Sequence, residues 1–424
     1  MVRKLKRTEI GDIPIDWELQ TFEETFNVLS SNTLSRENLN NRSGVVRNIH
    51  YGDILTKFSE VLDCKEAEIP YINDLSLLTS SAQLLRDGDI VIADTAEDEI
   101  VGKVTEVQNL DNGKLVAGLH TIPCRVKKGD FVPGWLGYYM NSHMYHNQII
   151  PYITGIKVAS ISKSAIANTW IVIPPIEEQK RIVEILSQTD LLIQKEQEVI
   201  NKITAVKIGC LSKMFPKEGE NIPEMRFPGF EEAWEKRKLG EMGSLKNGMN
   251  FLKKAMNKGY PFVNLQNVFG RNIIDVNNLG KAEASLQQLR EYSLEKGDVL
   301  FVRSSVKLEG VGEAALVPEK LENTTYSGFI IRFRDESGLN NNFKRYVFSI
   351  KSVREQIMAQ ATNSANKNIS QVALKDLNFP VPKLEEQEKI GLYFSDFDNQ
   401  IAFHQRKYEK YKKIKSGLIS MLIR

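Results

Sequence analysis

The chain has 424 residues, of which 42% are hydrophobic and 26% charged, a composition typical of globular proteins with more than one domain. Its 56 Lys and Arg residues nearly balance 54 Asp and Glu residues, so a net charge of +2 gives no general sign of a nucleic-acid partner. A membrane span and a secretory leader are not expected, because no long apolar run occurs, and three widely spaced cysteines favour a cytoplasmic location.

The first globular half is predicted to combine short strands with helix. Trp17 stands near its start, flanked by a short amphipathic stretch. A Gly-Asp turn leads into an apolar strand over 89–93, and a second strand is predicted over 120–126. The pattern over 133–149 favours a helix. These features predict a mixed α+β domain over residues 1–174.

A long amphipathic helix is predicted next, over residues 175–216. Pro174 and Pro175 fix an extended entry, and acidic residues occupy the first turn, where the helix dipole favours them. About 39 residues at about 1.5 Å per residue predict a rod of roughly 58 Å. Apolar residues recur every seven positions in two rows, which are Ile185, Leu192, Val199 and Val206, and Leu186, Ile193 and Ile200.

The rest of the sequence repeats the same landmarks in the same order. Residues 173–215 align without a gap with residues 381–423, an offset of 208 residues. Strands are predicted over 299–303 and 329–334 and a helix over 341–360. Internal duplication therefore predicts a second domain over 217–382 and a second long helix over 383–424. The apolar rows of this helix are Phe394, Ile401 and Tyr408, then Tyr393 and Ile414, then Phe397 and Tyr411.

The two long helices are expected to pair with each other. Neither can leave its apolar stripe in water, so an antiparallel coiled coil is the simplest arrangement. Antiparallel pairing of a duplicated chain would relate the two domains by a pseudo-twofold axis. Duplex DNA looks alike from both directions and offers equivalent sites about 34–36 Å apart on one face, which favours a DNA-binding function. A coiled-coil scaffold joining two protein-binding domains is the alternative.

Sequence motifs of catalysis are missing. The chain has no G-x-x-x-x-G-K-[ST], no H-E-x-x-H, and no Asn/Asp-Pro-Pro-Tyr/Phe of amino-methyltransferases. Asp63-Cys64-Lys65 approaches a nuclease pattern, but such tripeptides are common by chance. His143 and His146 lie one helical turn apart without acidic or Cys partners at ligand spacing. We therefore predict neither a catalytic residue nor a metal site.

Two copies of one motif carry a family resemblance. Residues 174–182 (PPIEEQKRI) and 382–390 (PKLEEQEKI) resemble the P-x-[IL]-x-E-Q-x-x-I signature of specificity subunits of type I restriction–modification systems. Residues 10–17 and 225–230, the latter with Trp234, are similar to the openings of the two halves in that family. The resemblance covers essentially the whole chain in the right order.

The resemblance implies a non-catalytic subunit in which two target-recognition domains alternate with two spacer helices. Each recognition domain would read one half of a split, asymmetric sequence in double-stranded DNA, and the helices would act as a ruler. The subunit would assemble with two adenine-N6 methyltransferase subunits that use S-adenosylmethionine. Restriction subunits that use ATP and Mg²⁺ would join in some systems. No cofactor is implied for this chain itself.

DNA contacts are expected where polar segments stand at matching places in the two halves. Base edges are read by Arg, Lys, Asn, Gln and Ser, and phosphates are bound by Lys and Arg. The loops 154–160 and 362–368 precede the two long helices, and the family has a similar loop; an ordinary exposed turn is the alternative. The predicted DNA-binding residues are Lys157, Ser160, Asn363, Asn366, Lys367, Asn368, Arg303, Lys307, Arg47 and Tyr51.

Contacts with partner subunits are expected at the first turn of each long helix. The acidic first turns, and heptad positions that the helix pair leaves over, would face a partner. The predicted partner-binding residues are Glu177, Glu178, Gln179, Glu385, Glu386 and Gln387.

Overall fold

A computed structural model describes residues 4–98, 100–155, 158–251, 253–362 and 364–423. Tertiary contacts divide the chain into two compact units. The first comprises residues 1–195 and 407–424, and the second comprises residues 196–406. The domain boundaries after residues 174, 216 and 382 stay a prediction.

The first unit is an α+β structure of short strands and short helices. Its strands are β1 (Leu5–Thr8), β2 (Gly11–Pro14), β3 (Glu18–Thr21), β4 (Phe26–Val28), β5 (Leu39–Asn40), β6 (Val46–Ile49), β7 (Val61–Asp63), β8 (Tyr71–Ile72), β9 (Ile90–Ala93), β10 (Thr95–Ala96), β11 (Val104–Gln108), β12 (Lys114–Ala117), β13 (Thr121–Val126), β14 (Ala159–Ser160) and β15 (Trp170–Ile173). Its helices are α1 (Phe22–Thr25), α2 (Tyr51–Thr56), α3 (Trp135–Met140), α4 (His143–Ile149), α5 (Lys163–Ala167) and the first part of α6 (Ile176–Met214). A five-stranded sheet has the order β4-β13-β9-β11-β7, and a four-stranded sheet has the order β12-β6-β8-β5.

The second unit has the same class of architecture. Its strands are β16 (Glu235–Lys238), β17 (Gly243–Asn247), β18 (Met256–Val263), β19 (Gly280–Ala282), β20 (Val299–Val302), β21 (Ser304–Ser305), β22 (Ala314–Leu316), β23 (Thr325–Tyr326), β24 (Ile330–Asp335), β25 (Lys367–Asn368) and β26 (Asn378–Val381). Its helices are the second part of α6 together with α7 (Leu286–Glu291), α8 (Asn341–Val347), α9 (Lys351–Gln360), α10 (Gln371–Lys375) and most of α11 (Leu384–Leu422). A four-stranded sheet has the order β17-β24-β20-β22, and a three-stranded sheet has the order β19-β18-β23.

The duplicated Gly-Asp turn leads into the central strand of each unit. In both β9 and β20 every residue is buried, as their apolar, largely β-branched sequences predict. Asp89 is buried before β9, and Arg125 of β13 donates to both of its carboxylate oxygens at 2.8 and 2.6 Å. Asp298, directly before β20, likewise accepts two hydrogen bonds from the guanidinium of Arg334 on β24, at 2.8 and 2.6 Å. The turn is repeated because its carboxylate anchors the neighbouring strand.

The segments 133–149 and 341–360 are helical, as predicted, and each of them forms two helices. In the first unit α3 ends before Asn141, whose side chain bonds both backbone groups of Val104 at 3.0 and 2.8 Å. Ser142 then caps α4 by accepting from the amide of Tyr145. In the second unit α8 ends before Phe348, and α9 begins at Lys351. The break between the helices of the earlier region therefore lies where Asn141 bonds a distant strand and Ser142 caps the next helix.

The two long helices, α6 and α11, each span 39 residues and pack against each other. In the first unit the beginning of α6, with buried Ile182 and Leu186, shares a core with Ile419 and Ile423 at the end of α11 and just beyond it. In the second unit the end of α6 shares a core with the beginning of α11 through Met214, Ile390 and Phe394. The helices therefore run antiparallel, as predicted, and each unit contains one end of the pair.

Only some of the predicted heptad rows form the seam between the helices. The row of Leu186, Ile193 and Ile200 in α6 faces inward, with Leu186 fully buried. The neighbouring row is largely exposed, at 40% for Ile185 and 54% for Val206. On α11 the row of Tyr393 and Ile414 is likewise exposed, at 36% and 41%. Each unit therefore has exposed apolar side chains on the long helices besides the seam. They are Ile185, Leu192 and Ile414 in the first unit, and Val206 and Tyr393 in the second.

None of the helices in the described part of the chain combines the length and the apolar character that a bilayer-spanning segment needs.

Candidate nucleic-acid interface

In each unit a two-stranded ladder joins the segment after the central strand to the loop before a long helix. In the first unit β10 pairs with β14, and the amide of Ile161 donates to the carbonyl of Asp94 at 2.9 Å. In the second unit β21 pairs with β25, and the amide of Ile369 donates to the carbonyl of Arg303 at 3.0 Å. The two units therefore build the same backbone frame from segments far apart in sequence.

In the second unit this frame brings several predicted DNA-binding residues together. Lys367 and Asn368 form β25 and lie directly opposite β21, which follows Arg303. The guanidinium of Arg303 donates to the carbonyl of Gly328 at 3.2 Å. A groove of about 550 Å³ is lined by Phe329, by β21 and by the predicted residues Lys307 and Asn366. The Phe329 side chain is 58% exposed. The predicted residues at this edge are Arg303, Lys307, Asn366, Lys367 and Asn368.

In the first unit Ser160 and Tyr51 lie at the corresponding edge. Ser160 of β14 is the register partner of Thr95 in β10. The hydroxyl of Thr95 lies 3.2 Å from Nδ1 of His120, and the ring of Tyr51 meets the His120 ring edge-on at 5.3 Å. The carboxylate of Asp94 is 2.8 Å from the Thr95 hydroxyl and 3.3 Å from His120 Nδ1. His120 was missed by the sequence prediction.

Of the remaining predicted DNA-binding residues, Arg47 is described by the structure and is not part of these edges. Arg47 lies on β6, where its guanidinium donates to the carbonyl of Cys64 at 2.6 Å, so a DNA contact by Arg47 stays a prediction. Lys157 and Asn363 lie outside the described residues. Across the described ranges, no group of three or more His, Cys, Asp or Glu side chains is arranged to hold a metal ion.

The two edges share a frame but differ in chemistry. The amide of Asp94 donates to the carbonyl of His120 at 3.1 Å, and the amide of Arg303 donates to the carbonyl of Phe329 at 2.8 Å. Asp94 therefore corresponds to Arg303, and His120 to Phe329. A carboxylate accepts from the amino group of cytosine, whereas Arg donates to guanine and an apolar ring contacts the thymine methyl group. Equivalent positions are thus equipped for different bases.

The glutamine of the repeated motif is a structural residue in both units. The carboxamide of Gln179 accepts from the amide of Val132 and donates to the carbonyl of Pro174, both at 2.9 Å. Gln387 repeats both contacts in the second unit, at 3.0 and 2.9 Å. Both glutamines are buried. Each one therefore fixes the start of a long helix to its own globular domain.

Two glutamates of the motif bond residues outside the long helices, and the other two are exposed, with Glu177 paired to Lys180 of its own helix at 2.8 Å. Glu178 accepts from the indole N–H of Trp17 at 2.9 Å. Buried Glu386 is held by Arg226 through two hydrogen bonds of 2.7 and 2.8 Å. The other two, Glu177 and Glu385, are exposed. Partner binding by this motif stays a prediction. The carboxylates of Glu177 and Glu385 are the ones most accessible to a partner.

Replacing Gln179 by Ala is expected to lower the free energy of unfolding of the first unit by roughly 2–3 kcal/mol, because the amide of half-buried Val132 loses its acceptor. Gln387→Ala should have the same effect on the second unit. Urea unfolding measures both. Glu177→Gln is the matched control, with a change within about 0.5 kcal/mol at this exposed site. Equal stability of Gln179→Ala and the control would contradict the structural role.

A buried polar cluster joins the globular part of the first unit to both long helices. This Asp190 cluster consists of Glu60, Tyr138, Asp190 and Lys415. The Tyr138 hydroxyl on α3 donates to Asp190 on α6 at 2.7 Å. The ammonium group of Lys415 on α11 lies 2.5 Å from Asp190 and also bonds Glu60. Burial disfavours the Lys415 charge, but Glu60 and Asp190 outweigh it and raise the Lys415 pKa. Two carboxylates and one ammonium group leave one negative charge.

The second unit contains an equivalent cluster of opposite charge. This Asp398 cluster consists of Lys207, Asn272, Arg345, Tyr346 and Asp398. The Tyr346 hydroxyl donates to Asp398 on α11 at 2.6 Å, and Lys207 on α6 lies 2.5 Å from the same carboxylate. Arg345 and Asn272 also donate to it, at 2.9 and 2.6 Å. Burial disfavours the Asp398 charge, but hydrogen bonds from Lys207 and Tyr346 outweigh it, so its pKa is lowered. One carboxylate and two cations leave one positive charge.

Neither cluster is predicted from the sequence, although the repeat contains a signal for both. A lone polar residue on an amphipathic helix is usually solvated. Three polar residues that recur unchanged at the same 208-residue offset, beside an apolar seam, indicate a shared role instead. They are Tyr138 and Tyr346, Asp190 and Asp398, and Lys207 and Lys415.

Known proteins share this organisation. The sequence matches the family described as type I restriction modification DNA specificity domain over residues 14–205 and again over residues 231–413. The putative type I restriction enzyme MjaX specificity subunit of Methanocaldococcus jannaschii is 25% identical over 438 residues, covering 99% of this chain and 95% of the relative. The EcoKI specificity subunit of Escherichia coli (strain K12) is 26% identical over 267 residues, covering 61% of this chain and 56% of the relative.

A solved structure agrees with the fold. The crystal structure of the type I restriction–modification S subunit from M. genitalium is 14% identical and has a TM-score of 0.53, covering 100% of this chain and 99% of that chain. Two specificity domains, each followed by a long helix, confirm the predicted α+β architecture. The chain therefore belongs to the family of DNA specificity subunits of type I restriction–modification systems, the target-recognising and non-catalytic components of those enzymes.

Proposed function

We propose that each globular domain of this chain reads one half of a split, asymmetric sequence in double-stranded DNA. The paired helices α6 and α11 hold the two reading edges a fixed number of base pairs apart. The subunit directs two adenine-N6 methyltransferase subunits, which use S-adenosylmethionine, to adenines within that target. Restriction subunits that use ATP and Mg²⁺ join the same complex.

The observation that carries this proposal is the pair of equivalent edges with different side chains. The same ladder of hydrogen bonds in both units supports the same task. Asp94 and His120 in one unit and Arg303 and Phe329 in the other support different base preferences. Two copies with identical edges would read identical half-sites. The divergence of these edges favours an asymmetric target.

The partner subunits are assigned to the long helices on the basis of exposure. Glu177 and Glu385 leave carboxylates at the two helix starts. Apolar side chains of the long helices are also exposed in each unit, and exposed apolar side chains are common at protein interfaces. We place the methyltransferase subunits against these surfaces. A scaffold role alone would not require the two different polar edges.

Substitution of one edge is expected to alter only one half of the target. We expect Arg303→Ala to relax base preference in one half-site and Asp94→Asn to relax it in the other, at about 1–3 kcal/mol per lost base contact. The measurement is methylome sequencing of a host expressing each variant together with its methyltransferase. The wild-type complex should yield one split motif containing N6-methyladenine.

Two controls accompany this experiment. The methyltransferase expressed without this chain should leave no motif. Exchanging residues 217–382 with those of a relative should change the half-site that Arg303→Ala affects and leave the other half intact. A complex that assembles but methylates no split motif would overturn the DNA-reading function and favour the scaffold alternative. If both substitutions relax the same half-site, the assignment of one edge to each half is wrong.

A further inference from the structure

We propose that the Asp190 and Asp398 clusters are the positioning elements that fix the register of the two long helices. In this role they set the number of base pairs between the half-sites. The inference rests on the proposed function and assigns the length of the gap in the target to particular side chains. The apolar seam pairs the helices, and the clusters decide which pairing is adopted.

Each cluster joins three parts of the chain at one point. A tyrosine comes from the globular domain, an aspartate from the helix that follows that domain, and a lysine from the other helix. Lys415 lies 5.4 Å above the ring of Tyr138, and Lys207 lies 5.4 Å above the ring of Tyr346. The lysine side chains are only 10% and 16% exposed. In both clusters the same three residue types therefore connect a globular domain to the two long helices.

The apolar seam alone would tolerate a slip between the helices. Heptad positions repeat every seven residues, so a slip of one heptad again places apolar residues opposite apolar residues. The clusters do not repeat in this way. A slip of one heptad would replace Lys415 at Asp190 by Tyr408 or Leu422, and would replace Lys207 at Asp398 by Ile200 or Met214. Buried charges would lose their partners, which is strongly unfavourable.

The size of this slip matters for DNA. Seven residues of helix correspond to about 10 Å along its axis. At about 3.4 Å per base pair this equals about three base pairs of duplex. The register that the two clusters select therefore corresponds to a distinct number of base pairs between the half-sites.

The test removes the lysine contacts of both clusters and is designed to keep the fold. In the triple variant Glu60→Gln, Lys207→Met, Lys415→Met, the tyrosine–aspartate bonds remain, and Arg345 still balances Asp398. Methionine suits the seam, and Asp190, whose side chain is 27% exposed, keeps the hydrogen bond from the Tyr138 hydroxyl. We expect the same half-site sequences to be methylated at more than one separation. Sites of altered separation should be methylated about tenfold more often than in wild type, since the competing registers no longer leave a buried lysine unpaired.

Two control variants and one reference define the outcome. Lys207→Met alone leaves the Asp190 cluster intact and should keep a single separation. The double variant Lys207→Arg, Lys415→Arg keeps both cations and should also methylate half-sites at a single separation. A triple variant that folds and methylates the target at the wild-type separation only would overturn the proposal. Absence of any split motif with the wild-type chain would instead overturn the proposed function, so the two failures are distinguishable.

Discussion

Replacing Asp398 by Asn is expected to lower the free energy of unfolding of the second unit by about 3–5 kcal/mol. The substitution removes the carboxylate shared by Lys207 and Arg345, whose side chains are 16% and 9% exposed. Two cations then face a neutral amide inside the fold. The equivalent change Asp190→Asn leaves Lys415 paired with Glu60, so the expected loss there is only about 1–2 kcal/mol. Urea unfolding of the two variants measures the difference.

The pH dependence of stability gives a second measurement of the same effect. The lowered pKa of Asp398 means that its stabilising contribution is present above the pKa of an unfolded Asp, about 3.9, and is lost as the pH falls through its folded pKa. The wild-type protein should therefore lose stability below about pH 4 more steeply than Asp398→Asn. Equal losses for Asp398→Asn and Asp190→Asn at neutral pH would contradict the charge balance of the two clusters.

Replacing Lys415 by Met is expected to have the reverse pattern. The carboxylates of Glu60 and Asp190 would then lose the ammonium group that bonds both of them, at an expected loss of about 3–5 kcal/mol from the first unit. Lys207→Met leaves Asp398 with Arg345, so a loss below about 1.5 kcal/mol is expected. Hydrogen exchange of α3 and of α8, which carry the cluster tyrosines, locates each effect in one unit. Adding Glu60→Gln to Lys415→Met should restore part of the lost stability, because one carboxylate instead of two then lacks the Lys415 ammonium group.

The sequence predicted the long helices well because their signals are local and repeated. The proline entry, the acidic first turn and the heptads together predict helix, and both helices span the expected length. Periodicity alone did not separate the seam from the adjacent row, because apolar residues occupy both faces. Ile185 and Leu186 stand next to each other in sequence, yet the first is 40% exposed and the second fully buried. Only the position of the partner helix distinguishes them.

Features that depend on distant segments could not be predicted. The helix break at Asn141 depends on a bond to Val104 in a strand that lies 37 residues earlier. Ser160 lies beside Thr95 only because strands β10 and β14 pair in the folded unit. The edge containing Asp94 and His120 likewise depends on three segments that meet only in the folded unit. The positions of strongly repeated residues were accessible from sequence, and their contacts were not.

One pair at the helix seam couples the two halves of the repeat. Glu196 on α6 and His404 on α11 are separated by 208 residues, the repeat offset itself, and their Oε2 and Nδ1 atoms lie 2.6 Å apart. Each residue therefore faces its own counterpart. Most duplicated positions are free to change one at a time, but here a change in one copy alters the environment of the other. The two copies of this position therefore depend on each other chemically. If both copies carried the same residue, two carboxylates or two imidazoles would face each other.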